Sequence, residues 1–199
     1  AYNSRTSDEV ATSDESGGTL KNTASANIAS TGAWLPHTEI VDYSKSKYSF
    51  KISAPYGQPR VGRNGPYNHS GIDITSTGGS NGASGLSVRA AGDGVVSYKQ
   101  NPGGYGYYAI VSHGNGLSTV YGHMQQGSGR APGRVKAGDV IGRVGSTGKS
   151  SGAHLHYEVR LNGKKVNPVG FQPSGLRAQK IRKETSSTKA ATASSSSSD

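Results

Sequence analysis

The apolar positions of this chain fall into short runs separated by glycine-rich turns. Between about Phe50 and Pro168 these runs alternate with polar residues or are rich in β-branched residues, which is typical of strands. No window keeps a helical period, so the pattern predicts a mainly β domain with an antiparallel sheet or sandwich. The predicted strands are Tyr48–Ser53, Ser87–Ala91, Gly94–Lys99, Tyr107–His113, Ser118–His123, Val140–Val144 and His154–Arg160.

The same pattern divides the chain into three regions. Residues 1–46 are rich in Ser, Thr, Asn and acidic residues, and we expect a loosely ordered N-terminal arm that docks through Trp34. Residues 47–170 form the predicted β domain. Residues 171–199 lose their apolar positions and end in a serine run, which predicts a flexible low-complexity tail with one short helix near Leu176–Lys183.

Composition sets limits on the class of protein. A chain of 199 residues is long enough for one domain with a sizeable core. It has no cysteine, so disulfides and thiolate metal ligands are excluded. No apolar stretch reaches the roughly 18 residues of a membrane-spanning helix, and no span is expected. The chain begins Ala1-Tyr2-Asn3 without a signal-peptide pattern or an initiating Met, so we expect a processed or excised chain.

The whole net charge of +10 belongs to the predicted β domain. Residues 47–170 contain 14 Lys and Arg but only four carboxylates, Asp73, Asp93, Asp139 and Glu158. A basic domain attracts polyanions such as nucleic acid, anionic lipid surfaces or the phosphate-bearing polymers of a bacterial wall. The alternative is a solvated surface that is kept soluble by its charge. Nucleic acid is the weaker partner, because the chain has no nucleic-acid-binding motif.

Five residues with metal-binding side chains occur at informative spacings. His69 and Asp73 are four residues apart, His154 and His156 are two apart, and His123 lies between the pairs. Zinc takes imidazole and carboxylate ligands, and a hydrolytic site needs three protein ligands and one open position. Side chains at i and i+2 of a strand share a face, so His154 and His156 reach one volume. The set predicts a catalytic zinc site. For any single histidine, an ordinary core or surface role is the alternative.

Further motifs surround these residues in a fixed order. They are His69-Ser-Gly-Ile-Asp73, Ala91-Gly-Asp-Gly-Val95, His113-Gly-Asn-Gly-Leu-Ser-Thr-Val-Tyr-Gly-His123, Val140-Ile-Gly-Arg-Val-Gly-Ser-Thr-Gly148 and His154-Leu-His-Tyr-Glu158. In this order the chain resembles the lysostaphin-type peptidase family (M23, LytM-like zinc endopeptidases) over about residues 50–170.

The resemblance implies both a fold and an activity. The implied fold is a lysostaphin-type, duplicated hybrid motif-like β domain with a groove that holds one zinc ion. The implied metal ligands are His69, Asp73 and His156, and His123 and His154 flank the open position as catalytic histidines. The implied reaction is hydrolysis of peptide bonds in the cross-links or bridges of bacterial peptidoglycan.

Five other residues have two interpretations each. Glu158 either orients an imidazole or forms a surface salt bridge. Tyr67 either stabilises an oxyanion or belongs to an ordinary turn, and Asn167 either shapes the site or caps the last loop. His113 is expected to be structural or exposed. His37 has no partner in the sequence, although it would block the zinc position if the arm folded over the groove.

Three questions of function stay open at this stage. The scissile bond is either in a glycyl bridge or in a D-amino-acid stem link, and the general base is either His123 or His154. The enzyme acts either as a secreted or envelope hydrolase or as a virion-associated lysin that contacts phage tail proteins. The rival function is a non-catalytic wall-binding or activator domain of the same fold. This chain keeps all five metal-site positions, which argues against the rival function.

Overall fold

The computed structural model describes residues 33–173 and 177–178. Apart from one short helix, α1 (Gly79–Ala83), and a 3-10 turn at His37–Glu39, its regular elements are strands. They are β1 (Ala33–Trp34), β2 (Phe50–Ala54), β3 (Pro59–Gly62), β4 (Gly65–Asn68), β5 (Ile72–Ser76), β6 (Ser87–Arg89), β7 (Gly94–Asn101), β8 (Gly106–Gly114), β9 (Leu117–Met124), β10 (Gly133–Val135), β11 (Val140–Arg143), β12 (Leu155–Leu161), β13 (Lys164–Val166) and β14 (Arg177–Ala178).

An antiparallel sheet of eight strands forms the body of the domain. Its strand order is β10-β7-β8-β9-β12-β5-β2, and β13 pairs with the far end of β12. Three two-stranded sheets complete the fold: the β3–β4 hairpin, β6 with β11, and β1 with β14. The predicted mainly β, antiparallel architecture is therefore confirmed. All seven predicted strands are present, with ends that differ from the prediction by two residues or fewer.

Alternation along β12 separates the core from the opposite face of the sheet. Leu155, Tyr157 and Val159 are buried in the main apolar cluster, where they meet Ile72 and Ile74 of β5. The intervening residues of each strand point to the other face, because successive side chains of a strand alternate. Asp73 of β5 and His156 and Glu158 of β12 are thereby collected on one face.

The described part of the predicted N-terminal arm packs on this core. Trp34 is 2% exposed and meets the rings of His113 and Phe171 edge-on, at centroid distances of 5.0 and 5.7 Å. Ile40 and Val41 are also buried. Trp34 is thus the docking residue that the sequence predicted, and residues 1–32 lie outside the described residues.

The predicted tail helix near Leu176–Lys183 falls mostly outside the described residues. For its described part, Arg177–Ala178, the helix prediction is wrong, because these two residues form a strand that pairs in parallel with Ala33–Trp34. Within the described ranges, no helix has the length and apolar character needed to cross a membrane.

Candidate metal centre

Three side chains converge where β5 and β12 pair. Asp73 on β5 stands directly opposite His156 on β12, and His69 lies four residues before Asp73 at the entry to β5. His69 Nε2 lies 3.1 Å from both Asp73 Oδ1 and His156 Nδ1, and the latter two atoms are 2.9 Å apart. The ligands of a tetrahedral zinc ion, each about 2.0 Å from the metal, are about 3.3 Å from one another. The three atoms therefore form a triangle of the size that zinc requires.

The two histidines of the triangle present different ring nitrogens, and their outer hydrogen bonds explain why. His69 Nδ1 donates to the Pro55 carbonyl at 2.9 Å, which leaves Nε2 free for a metal. His156 Nε2 donates to Glu158 Oε1 at 3.0 Å, which leaves Nδ1 free instead. An outer hydrogen bond of this kind fixes the tautomer and the ring orientation of a metal ligand.

An outer hydrogen bond also determines which oxygen of Asp73 faces the two histidines. Arg60 donates to Oδ2 at 2.7 Å, so Oδ1 alone faces the histidines. Burial raises the pKa of Asp73, but the side chains of His156, His69 and Arg60, which lie within hydrogen-bonding distance of its oxygens, outweigh burial and hold the pKa well below its ordinary value. Asp73 is therefore ionised, as a metal ligand must be.

Glu158 is fully buried beneath the triangle, so the interpretation as a surface salt bridge is wrong. Its Oε1 accepts hydrogen bonds from Ser70 at 2.5 Å and Tyr105 at 2.7 Å, in addition to that from His156. Arg160 Nη2 approaches Oε2 at 2.6 Å. Burial raises the pKa of Glu158, but the hydrogen bonds from His156, Ser70 and Tyr105 lower it well below its ordinary value. Glu158 is thus an ionised acceptor that holds His156.

His123 and His154 lie side by side next to the triangle, with ring centroids 4.7 Å apart. Each ring donates from Nδ1 to a backbone carbonyl at 2.8 Å, His123 to Thr147 and His154 to Gly152. Both Nε2 atoms are therefore left as acceptors, and that of His154 is 3.7 Å from Asp73 Oδ1. This pair supplies proton-accepting atoms beside the three ligand atoms.

His123 also has an unusual backbone conformation. Its φ of +60° lies in the left-handed region, which non-glycine residues seldom adopt and which is enriched at functional sites. Its N–H donates to the Tyr105 carbonyl at 2.7 Å, which helps to hold this conformation. Burial lowers the pKa of the His123 ring to about 4, so the ring is neutral near pH 7.

A cleft of about 400 Å³ opens onto the site. One wall comes from the β3–β4 hairpin and the segment before β5, and the other from loops on the β8–β9 side of β12. The first wall carries Arg60, Tyr67 and His69, and the second carries Tyr105, His123 and Lys149. His156 also lines the cleft, so a substrate there reaches two of the three ligand side chains, His69 and His156.

The two histidines outside the motifs have other surroundings. His113 is 4% exposed and bridges the Asp93 carbonyl and the Thr119 hydroxyl, both at 2.8 Å, so it is structural. His37 packs edge-on against Phe50 at a centroid distance of 5.8 Å. The structure therefore does not bring His37 to the metal-ligand triangle, and the suggested blocking role has no support in the described residues.

Tyr67 and Asn167 differ in their relation to the cleft. Tyr67 is 45% exposed and lines the cleft, so its role toward a substrate stays a prediction. Asn167 Oδ1 accepts a hydrogen bond from the Val169 N–H at 3.0 Å, which is the geometry of a loop cap.

Sequence reasoning missed three side chains that complete the site: Arg60, Tyr105 and Lys149. Arg60 precedes Asp73 by 13 residues and no motif connects the two. Tyr105 lies in a Gly-Gly-Tyr-Gly turn, which was a detectable but ambiguous signal for a loop that approaches other backbone closely. Lys149 follows the glycine-rich run that ends at Gly148, and its charge alone did not distinguish it from the other lysines.

Comparison with known proteins finds similar sequences and a similar structure. A sequence profile described as Peptidase family M23 matches residues 67–168. The DD-carboxypeptidase/endopeptidase Mpg of Neisseria meningitidis is 48% identical over 101 residues, which are 51% of this chain and 22% of that protein. The murein hydrolase activator NlpD of Escherichia coli is 39% identical over 104 residues, which are 52% of this chain and 26% of that protein.

A solved structure is similar as well. The crystal structure of a zinc-containing peptidase from Vibrio cholerae has a TM-score of 0.55 and 25% sequence identity, and the match covers 68% of this chain and 39% of that one. The matched part of this chain corresponds to about a quarter of the length of each of the two sequence relatives, Mpg and NlpD. Since the profile covers just over half of the chain, this protein belongs to peptidase family M23.

Proposed function

We propose that this protein is a zinc-dependent endopeptidase that hydrolyses peptide bonds in bacterial peptidoglycan. The observation that carries the proposal is the triangle of His69 Nε2, Asp73 Oδ1 and His156 Nδ1, with sides of 2.9–3.1 Å. Two imidazoles and one carboxylate form a donor set that suits zinc, and three protein ligands leave one coordination position open for catalysis.

Zinc bound by these three atoms would act as a Lewis acid that polarises the scissile carbonyl and makes water nucleophilic at neutral pH. The protein's contribution to proton transfer is the pair His123 and His154. The carbonyls of Thr147 and Gly152 keep the proton of each neutral ring on Nδ1. One free Nε2 accepts a proton from the attacking water and then donates it to the leaving amine. The other ring, when it has taken up a proton from solvent beforehand, would donate its Nε2–H to the negative charge of the tetrahedral intermediate. The geometry is compatible with either division of these two roles.

Two findings support peptidoglycan as the substrate. The relatives named above are a DD-carboxypeptidase/endopeptidase and a murein hydrolase activator. The domain that carries the site also holds the surplus of basic residues, which favours contact with an anionic wall. We propose an extracellular or envelope location, with a phage-borne lysin as the alternative context, in which case tail proteins become partners.

The test separates metal binding from turnover. We expect the purified chain to hold about one zinc ion and to release soluble peptides from cell walls, and chelation should abolish this release. His69→Ala and Asp73→Ala should lose both zinc and activity, because each removes a ligand. His123→Ala and His154→Ala should keep zinc but lose turnover by a factor of about 10²–10⁴, the usual contribution of a general acid or base. Elemental analysis and mass spectrometry of the released fragments provide the two measurements.

A matched control and two contrary outcomes complete the test. Asp139→Asn alters a partly exposed carboxylate paired with Arg130 and should leave both zinc content and activity unchanged. Peptide release by a protein that elemental analysis shows to be metal-free would overturn the proposal. Loss of zinc in His154→Ala would instead show that His154 is a ligand.

A non-catalytic activator is the second candidate, because one relative is named as an activator. The retained triangle and the paired free histidines argue against it. The two functions predict opposite results: an activator loaded with zinc would release no fragments by itself but would accelerate a separate murein hydrolase, whereas an endopeptidase releases fragments alone.

A further inference from the structure

The walls of the cleft carry three cationic side chains, Arg60, Lys149 and Lys165. The carboxylates of Asp73 and Glu158, which contact lining residues, are both buried and do not themselves line the cleft. A substrate that enters this cleft therefore meets more positive than negative charge, and a bound divalent metal would increase that difference. Such a field favours an anionic group on the substrate.

Two of these cations already have partners. Arg60 donates to Asp73 Oδ2 at 2.7 Å, and Lys165 Nζ lies 3.6 Å from Glu158 Oε1. Lys149 differs from them, because its ammonium has no carboxylate partner among residues 33–173 and 177–178. Lys149 is therefore the cleft cation that is available to a ligand.

The loop that carries Lys149 is held firmly at the catalytic side of the cleft. The Lys149 N–H donates to the Gly104 carbonyl at 2.9 Å, and the Thr147 carbonyl accepts from His123 Nδ1 at 2.8 Å. Between them, Gly148 has a φ of +73°, and a Cβ built there would lie 2.2 Å from the Gly106 nitrogen. The backbone beneath Lys149 thus cannot shift freely relative to His123, while the side chain itself is exposed to the cleft.

We propose that Lys149 binds a free carboxylate of the substrate within one residue of the scissile bond. The preferred substrate is then a stem cross-link with a free carboxylate next to the scissile bond, and not a glycyl bridge, which has no carboxylate at that place. This proposal rests on the proposed function and specifies its substrate class. An ammonium on a fixed loop recognises a carboxylate by a charge-assisted hydrogen bond, which contributes more than a neutral hydrogen bond does.

The test uses three matched peptide substrates and the zinc-loaded full chain. Two are stem-peptide dimers that differ only in a carboxylate or a carboxamide next to the scissile bond, and the third is a pentaglycine peptide. We expect kcat/KM for the carboxylate dimer to exceed that for the carboxamide dimer about tenfold, the size of one charged hydrogen bond. Lys149→Gln should abolish this preference and Lys149→Arg should keep most of it. Lys99→Gln, an exposed lysine of β7 that does not line the cleft, should leave it unchanged.

The outcomes distinguish this proposal from the proposed function. If the wild-type chain cleaves both dimers equally, prefers pentaglycine, or keeps its preference in Lys149→Gln, the carboxylate site is overturned while the endopeptidase stands. Binding of the matched acid and amide monomers, measured by calorimetry, gives a second readout that needs no turnover. If no substrate is cleaved, tighter binding of the acid that Lys149→Gln abolishes would support the site although the endopeptidase fails. Equal binding of acid and amide would overturn the site as well.

Discussion

Replacement of Glu158 by glutamine tests how the buried network prepares His156 to bind a metal. The substitution keeps the shape of the side chain but replaces one carboxylate oxygen by an amide NH₂, which can only donate. In the structure Oε1 accepts from His156 and Tyr105, and Oε2 accepts from Arg160. Whichever way the amide is turned, its NH₂ faces either the histidine or the guanidinium, and both of these are donors. One set of buried hydrogen bonds must be lost.

The size of the effect follows from this conflict. A hydrogen bond to a charged group contributes about 1.5–3 kcal/mol, and loss of a partner that orients a metal ligand typically lowers metal affinity by about 10–100-fold. We therefore expect Glu158→Gln to weaken zinc binding by about 10–100-fold, since His156 either loses the acceptor of its Nε2–H or keeps a neutral acceptor that has lost its ion pair with Arg160. Competition against a chromophoric chelator measures the zinc affinity, and denaturant unfolding of the metal-free chain measures the stability.

Asp139→Asn is the matched control. It makes the same chemical change in an ion pair with Arg130, at 3.2 Å, whose side chains are 41% and 44% exposed. An exposed pair contributes at most about 1 kcal/mol to stability and none to the distant triangle. A zinc affinity of Glu158→Gln within twofold of wild type would refute the argument that Glu158 positions His156.

Two further predictions concern packing and pH. A Cβ at Gly71 would lie 2.2 Å from the Tyr157 carbonyl oxygen, so Gly71→Ala should lower the free energy of unfolding, measured with denaturant, by about 2 kcal/mol or more. Gly103 has open space around it, so Gly103→Ala should change the free energy of unfolding by less than about 0.5 kcal/mol. Equal effects of the two substitutions would contradict the close approach of β5 and β12. Burial lowers the pKa of His113 from 6.5 to about 4. Between these pH values the unfolded chain binds a proton that the folded chain does not. The free energy of unfolding should therefore fall by up to about 3 kcal/mol as the pH decreases from 6.5 to 4. His113→Gln should show a smaller fall in unfolding experiments over the same range, and identical pH profiles would contradict this origin.

The sequence predicted most of the sheet, because alternation of apolar and polar residues is a local property. It missed the strand that matters most for the site, β5 at Ile72–Ser76. All five of its residues are buried, and the polar Asp73 interrupts its apolar run. The sequence of a central strand that carries functional polar residues therefore lacks the regular alternation of a strand, and it can be mistaken for a motif in a loop. Even a correct assignment of β5 would not have predicted that Asp73 pairs with His156, because register is decided by contacts between distant segments.

The sequence indicates the candidate ligand residues. It does not indicate which ring nitrogen most of these histidines direct toward the metal position. His69, His123 and His154 are all oriented by backbone carbonyls, and every residue carries a carbonyl, so the sequence contains no signal for these hydrogen bonds. His156 is the exception. Its partner is the side chain of Glu158, two residues further along the same strand and hence on the same face, which is a relation that the sequence does display. That one side-chain partner reverses the nitrogen presented, Nδ1 in place of Nε2, and so allows His156 to meet Asp73 from the middle of the sheet. Where a carboxylate follows a candidate ligand histidine at i+2 on a strand, the tautomer of that histidine therefore becomes predictable, while the tautomers of its neighbours depend on the fold.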